Sequence, residues 1–330
     1  MSRPADVISS LEQAVQTRGQ FLNPPHESAF RLFNGFTESY PDLAIDLYAR
    51  TLVLHNYADD PASSPLRAIV EYLRGALGWL NAGILKTRDG KTQAEKRGQL
   101  IFGETPDSKI NEHGVWYALN LAMNRDASFY LDTRHLRKWL IENMRGKSVL
   151  NTFAYTGSLG IAALAGHAER VVQIDLHRQF LNLAKDSYVL NGFPIHNKDF
   201  VIQDFFSAIA RFKNTKQFFD CVILDPPFFS ITSKGKVDLV NESKRLINKV
   251  RPLINDSGHL IAINNALYVS GEEYMQTLED LCRDGYLKIR ELIPVPEDCT
   301  GYNIVGRPIM DPSPFNHSTK IAILEVNRKQ

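Results

Sequence analysis

A chain of 330 residues, 44% hydrophobic and 23% charged, is too long for one small core and is expected to form two domains. Its 38 basic and 37 acidic side chains leave a net charge of +1, which excludes a protein that coats nucleic acid through bulk positive charge but not one with a local basic patch. No apolar run approaches the roughly 20 residues that span a bilayer, and the opening MSRPADVISSLEQ lacks an apolar signal core, so a cytoplasmic location away from membranes is expected.

The spacing at residues 8–18 predicts a short helix ended by Gly19 at its C′ position. Pro24-Pro25 then breaks the chain. Two strands are predicted at 44–48 and 51–57, about a turn at Ala49-Arg50. Ser64-Pro65 opens an amphipathic helix with Leu66, Ile69, Val70, Leu73 and Leu77 at helical spacing. Further strands are predicted at 82–86, 99–102 and 115–121, and the charged TRDGKTQAEKRG (87–98) reads as a solvated loop. The first part of the chain is thus a helix and arm (1–28) and a small mixed α/β domain (29–124) suited to substrate recognition. In the last domain (125–330), Leu136, Trp139, Leu140 and Met144 mark a helix. Strands at 148–151, 171–176, 200–205, 221–229 and 259–265 alternate with helices, which predicts a parallel sheet covered on both faces. Segments 287–295 and 318–326 have a long loop between them and predict an antiparallel hairpin at the sheet edge.

Open α/β sheets bind ligands beyond the carboxyl ends of their strands, at the switch point. The loop TFAYTG (152–157) lies there with a helix N-terminus behind it. It has one glycine, Gly157, and places Phe153 and Tyr155 where a pyrophosphate needs close backbone approach, which argues against a dinucleotide and a P-loop. Asp175 ends the next strand, where it can accept hydrogen bonds from both hydroxyls of a ribose. Asp204 ends the third strand, where it can meet an adenine amine while Phe205 covers the ring. Asp225 ends the fourth and precedes Pro226-Pro227-Phe228. Each strand-end Asp has an alternative as an N-cap or turn residue, and the aromatics an alternative as core; four such features at four successive strand ends point to an adenosine-type ligand. In DPPFF (225–229) two prolines make a rigid strand exit. A planar amine or ring N–H can donate to Asp225 or to the Pro226 carbonyl there, and a flat base can stack on Phe228, a contact of roughly 1–3 kcal/mol in single-strand binding.

These segments resemble the class I S-adenosylmethionine-dependent methyltransferases, and among them the bacterial large-subunit (23S) ribosomal RNA enzymes that make 5-methylcytosine or 7-methylguanine. The likeness is carried, in order, by residues 31–54 (RLFNGFTESYPDLAIDLYARTLVL), SFYLDTR (128–134), LNTFAYTGSLGIAA (150–163), VVQIDL (171–176), LNGF (190–193), QDFF (203–206) and LDPPFFS (224–230). The resemblance implies a Rossmann-like, mostly parallel sheet with an antiparallel C-terminal hairpin beside a smaller N-terminal mixed α/β domain, and S-adenosylmethionine as the cofactor. It implies that Phe153, Tyr155 and Gly157 surround the methionine part, that Asp175 binds the ribose and that Asp204 and Phe205 contact the adenine. Thr152, Thr156, Leu176 and Asp225 complete the implied cofactor set. Asp132 and Arg134 lie in the segment that closes over the cofactor in that family; Arg134 either pairs with the cofactor's carboxylate or makes an ordinary salt bridge.

Only about 28 residues precede FRLFNGF, so the extra RNA-binding domain of many family members is expected to be absent, and Thr133 stands where many carry glutamine. The cytosine enzymes carry a nucleophilic cysteine at the end of the fifth strand, because carbon 5 needs covalent activation. Here that place holds IAINNA (261–266), while Cys221, Cys282 and Cys299 are scattered and form no CxxC pair, so neither a disulfide framework nor a zinc site is indicated. Direct in-line transfer to a base nitrogen, guanine favoured, is expected instead, with Asp225, Pro226 and Phe228 as the catalytic set and no metal. Asn264 and Asn265 resemble the asparagines of the guanine enzymes; they read a base edge, position a phosphate or cap the following turn. Lys234, Lys236, Lys244 and Arg245 either clamp an RNA backbone from a flexible loop or are solvated. His317, in the late loop with Lys320, either contacts substrate or is merely exposed. The expected partner is RNA, from the large ribosomal subunit, with a homodimer as a candidate assembly. A methyltransferase of small molecules or protein side chains, and a non-catalytic binding protein, are the alternatives that fold alone does not separate.

Overall fold

The computed structural model describes residues 4–58, 65–300 and 310–328. The chain divides into two compact units, Met1–Leu131 with Pro296–Pro308, and Asp132–Val295 with Ile309–Gln330. The expected division fell at 124/125; residues 125–131 and a returning segment join the first unit.

In the first unit α1 (Pro4–Thr17) buries Val7, Leu11 and Ala14 in one cluster with Phe30, Leu32 and Phe33, so the N-terminal helix is part of this core. In place of a glycine stop, the chain tightens into a 3-10 turn at Gly19–Leu22, which brings Phe21 into a stack on Phe30 at 5.0 Å. A five-stranded sheet follows from β1 (Ala29–Asn34), β2 (Leu43–Tyr48), β3 (Thr51–Asn56), β4 (Ala82–Thr87) and β5 (Gln99–Gly103), in that order. All pairs are antiparallel except β3 with β4, which α2 (Leu66–Ala76) connects as a crossover. Ser64, expected to open α2, lies outside the described residues. β1 carries no alternation to betray it, because both of its faces are buried apart from Arg31. The charged stretch 87–98 is more ordered than a solvated loop: α3 (Gln93–Arg97) starts with a reciprocal capping box between Thr92 and Glu95. A hairpin of β6 (Lys109–Glu112) and β7 (Val115–Ala118) follows. The returning segment docks on β1, where Asp298 Oδ2 accepts from Arg31 N at 2.9 Å and Thr300 O from Asn34 Nδ2 at 3.1 Å.

The second unit runs α4 (Arg134–Asn143), β8 (Ser148–Thr152), α5 (Ser158–Ala165), β9 (Arg170–Asp175), α6 (Arg178–Leu190), β10 (Phe200–Ile202), α7 (Phe205–Asn214) and β11 (Phe219–Leu224). It continues through β12 (Phe229–Thr232), β13 (Gly235–Asp238), α8 (Ser243–Val250), β14 (Ile254–Asn264), α9 (Gly271–Cys282), β15 (Leu287–Ile293) and β16 (Lys320–Val326). The seven-stranded sheet has the order β10-β9-β8-β11-β14-β16-β15, parallel from β10 to β14 and antiparallel at β16 and β15, as the sequence predicts. Alternation sorts its residues onto two cores. Leu150, Val222, Leu224, Leu260 and Ala262 meet α7, α8 and α9; Val149, Cys221, Ile223, Ile261 and Ile263 meet α4 and α5. The chain leaves β8 toward β9 and returns on its other side to β11, so the switch point lies beyond the end of β8. Among the described residues no helix is long and apolar enough to cross a membrane.

Candidate functional site

The β8–α5 loop has a backbone that few sequences tolerate. Phe153 and Tyr155 have φ of 52° and 51°, and Gly157 has φ of 79°. A non-glycine residue held this way costs on the order of 1–3 kcal/mol and persists only where its surroundings over-determine it. Here Ala154 N donates to Ile174 O at 2.7 Å, Gly157 N to Ala154 O at 2.8 Å, and Tyr155 N to Asp175 Oδ2 at 2.9 Å. The Phe153 ring stacks on Phe205 at 4.5 Å, and Tyr155 meets the edge of Phe180 at 4.6 Å. Glycine is needed at 157 for its φ and for space, since a Cβ there would lie 2.7 Å from Ala184 Cβ and 3.0 Å from Gln173 Nε2.

Beside this loop, at the end of β9, Asp175 accepts from Tyr155 N on Oδ2 and from His177 N on Oδ1, both at 2.9 Å. Burial raises its pKa, and the backbone N–H groups of His177 and Tyr155 only partly oppose this. Each oxygen keeps a further lone pair for a ligand hydroxyl. Leu176, 52% exposed, follows it, and Ile202, 41% exposed, ends the neighbouring strand; together they offer apolar surface to a flat ring. Next to Ile202, Gln203 Oε1 is buried with no hydrogen-bond partner among the described residues. The sequence reading passed over Gln203, although it lies within the QDFF segment. An acceptor carboxylate, exposed aliphatics and an orphaned amide oxygen suit a nucleoside with exocyclic amine and ribose hydroxyls.

Asp204 serves as an N-cap. It caps α7, with Oδ1 accepting from Phe206 N at 2.9 Å and Ser207 N at 3.2 Å, while Oδ2 accepts from Thr232 Oγ1 at 2.7 Å. Phe205 does not present a face to a ligand; it is 4% exposed and its ring is taken up by Phe153 and the core. Thr152 is wholly buried and its hydroxyl donates to Ile223 O at 2.7 Å, which makes its side chain a strut between β8 and β11. Thr156 is buried as well. Arg134 opens α4 and is buried, and one turn on the fully buried Arg137 donates to Thr133 Oγ1 at 2.7 Å. The hydroxyl at the unusual Thr133 thus serves an arginine that the sequence reading did not single out.

On the other side of β8, Asp225 follows the end of β11. No hydrogen bond reaches its carboxylate among the described residues. Burial, followed by the neighbouring charge of Asp132, pushes its pKa up to about 7. Asp132 Oδ2 itself accepts from Thr319 Oγ1 at 2.8 Å. Pro226 is buried, and Phe228 is 43% exposed and open to stacking. The two asparagines part company. Asn264 is committed to the fold: its Nδ2 donates to Ser243 Oγ at 3.0 Å and to Leu239 O at 3.3 Å, and its Oδ1 accepts from Ala266 N at 2.9 Å. Asn265 Nδ2 reaches the Pro226 carbonyl at 3.5 Å, and its Oδ1 is buried without a partner among the described residues. Behind Asn265, buried Lys320 donates to the carbonyls of Ala266 at 3.0 Å and Ser318 at 2.6 Å, and burial lowers its pKa to about 8.

The segment after DPPFF is a hairpin, not a free basic loop. β12 pairs with β13, Gly235 sits against the Phe206 ring, and Thr232 ties the turn to Asp204. Lys236 is taken by Asp238 at 2.7 Å and Arg245 by Glu242 at 2.6 Å; Lys234 and Lys244 are exposed. His317 is buried, not exposed, and its Nδ1 accepts from Thr319 N at 3.0 Å. Cys221 is sealed inside β11, where burial pushes its thiol up to about 12, so it offers no thiolate. Among the described residues no group of three or more His, Cys, Asp or Glu could hold a metal ion.

The profile of a family described as S-adenosylmethionine-dependent methyltransferase matches residues 30–291. YwbD of Bacillus subtilis, whose name places it among ribosomal RNA large subunit methyltransferases, is 29% identical over 78% of this chain and 66% of its own. Ribosomal RNA large subunit methyltransferase K/L of Colwellia psychrerythraea is 29% identical over 72% of this chain and 34% of its own length. This chain therefore spans about two thirds of the first relative and one third of the second. In fold it is similar to the crystal structure of SMU.776 complexed with SAH, with TM-score 0.85 and 22% identity, covering 99% of this chain and 82% of that one.

Proposed function

Because this chain belongs to the S-adenosylmethionine-dependent methyltransferases, we propose that it methylates a base nitrogen of ribosomal RNA, guanine favoured, by direct in-line transfer. The names of its relatives support an RNA substrate. The cofactor supplies an electrophilic methyl group on a sulfonium. Asp175 holds the ribose hydroxyls, Leu176 and Ile202 flank the adenine, Gln203 Oε1 accepts from its amine, and residues 152–157 with Arg134 embrace the methionine part. Asp225 and the Pro226 carbonyl orient the base through its amine or ring N–H, Phe228 stacks on it, and Asn265 Oδ1 takes a further base N–H. The base nitrogen bonds to the methyl carbon as the C–S bond breaks and its electron pair goes to sulfur. Where the attacking nitrogen bears a proton, Asp225 takes it; where it bears none, the carboxylate only orients.

The single observation that carries this reading is the half-buried Asp225 at a rigid strand exit, with no hydrogen bond to its carboxylate among the described residues and an orphaned amide oxygen on neighbouring Asn265. The test is transfer of labelled methyl from S-adenosylmethionine to total RNA of a strain lacking the gene, with nucleoside mass spectrometry and Asp225→Ala as control. A methylguanosine that depends on Asp225 is expected. A 5-methylcytidine product would overturn nitrogen transfer, and absence of transfer to both free RNA and ribosomal particles would overturn the RNA substrate.

A further inference from the structure

The first unit holds a concave site that takes no part in the chemistry above. A shallow, solvent-open recess is lined by His55, Lys86, Arg88, Lys96 and Arg125, five side chains able to carry positive charge and no carboxylate. They come from β3, from β4 and the turn after it, from α3, and from the loop after β7. The capping box of Thr92 and Glu95 makes α3 a helix and so fixes Lys96 in place. Lys86 is almost fully buried, and its ammonium is held by the carbonyls of Arg97, Asn124 and Asp126, the last two at 2.9 and 3.2 Å. That uses all three of its protons and leaves its charge as a fixed floor under the recess.

The protein does little to neutralise this cluster. His55 Nε2 lies 3.0 Å from Asp46 Oδ2, but Asp46 already takes two hydrogen bonds from Arg31. Arg88, Lys96 and Arg125 have no ion pair among the described residues, and Arg88 and Arg125 stand exposed at the rim. Burial lowers the Lys86 pKa to about 8, with the charge of Asp126 opposing it. An anion entering the recess would bring countercharge to Arg88, Lys96 and Arg125. Two free guanidinium groups suit a tetrahedral phosphate, which they can grip in bidentate fashion. Apart from the His55 imidazole no ring lines the recess, so it offers no platform for stacked bases; its chemistry is that of backbone contact, which positions a nucleic acid without reading its sequence.

We infer that this recess seats a backbone phosphate of the RNA substrate, which rests on the RNA reading given above. The probe is a short mixed-sequence single-stranded RNA, bound to the full chain across a KCl series. Arg88→Gln, Lys96→Gln and Arg125→Gln are each expected to weaken binding several-fold at low salt and to flatten the slope of log K against log salt by about 0.7 per lost contact. Arg88→Lys is expected to keep the slope, while S-adenosylmethionine affinity by calorimetry and the melting temperature check that the fold is intact. RNA binding by the wild type with slopes unchanged in the three Gln variants would overturn this inference and leave the RNA substrate standing. A wild type with no salt-dependent RNA binding would overturn both. Uptake of inorganic phosphate by the wild type alone, with RNA bound equally by the triple variant, would make the recess a free-anion site and overturn the backbone assignment.

Discussion

The two sides of β8 treat their carboxylates in opposite ways, although each side also holds an orphaned amide oxygen, Gln203 Oε1 and Asn265 Oδ1. On the β9–β10 side both carboxylates are occupied: Asp175 by two backbone N–H groups and Asp204 by a helix cap and Thr232. On the β11–β14 side Asp225 has no hydrogen bond among the described residues and Asn265 Oδ1 is an orphan. Hydrogen bonds to a charged acceptor contribute roughly 1.5–3 kcal/mol each, so the first arrangement builds a rigid frame. The second leaves polar groups unsatisfied, at a cost in stability that a bound partner can recover.

Asp225→Ala is the sharpest test of this contrast. Transfer is expected to fall by at least about 100-fold, with cofactor affinity by calorimetry changed only a few-fold; loss of cofactor binding instead would place Asp225 with the frame. Gly157→Ala strikes the frame, because it forces an alanine to φ of 79° with its Cβ against Ala184. A stability loss of about 2–4 kcal/mol in denaturant melts is expected, together with loss of cofactor binding. Asp175→Asn offers one oxygen where two N–H groups need acceptors and turns its NH₂ toward the other donor. Cofactor binding is expected to weaken about 10- to 100-fold, and an unchanged affinity would remove Asp175 from the site.

The asparagines divide the same way. Asn264→Ala is expected to cost about 1–3 kcal/mol of stability. Asn265→Ala is expected to leave stability nearly unchanged while raising the KM for RNA; the reverse pattern would break the contrast. A last expected effect concerns pH. The Asp225 pKa is raised from 3.8 to about 7, so the folded protein holds a proton that the unfolded chain releases. Stability from that proton is complete below about pH 4 and is lost as pH rises through about 7. Asp132→Asn removes the like charge and is expected to lower the Asp225 pKa while leaving it above its ordinary value, because burial is the larger cause. Carboxyl titration by NMR checks this, and an upward shift would sink it.

Much of the frame was legible in the sequence because it is local. The TFAYTG loop, the alternating strands and the edge hairpin follow from residue spacing, and Asp175 sits where a strand-end acid must sit. What misled was also local. Phe205 reads as an aromatic beside a ligand, but whether a ring faces solvent or core depends on Phe153 turning back over it. Asp204 could cap or bind, and only the position of Thr232, 28 residues on, shows how its second oxygen is spent. The basic run after DPPFF looked free because its partners, Asp238 and Glu242, are brought to it by a hairpin and a helix start.

The sequence by itself determined the chain order of the strands in the seven-stranded sheet and the glycine and proline positions where the backbone has no alternative. Tertiary structure decided which polar atoms are satisfied. Asn264 and Asn265 are neighbours of identical chemistry, yet one is enclosed by Leu239, Ser243 and Ala266 while the other is left with a bare oxygen beside Pro226. Strand alternation turns successive side chains to opposite faces, and hydrogen-bond partners arrive from distant segments, so which polar atoms stay open is written only in the folded chain.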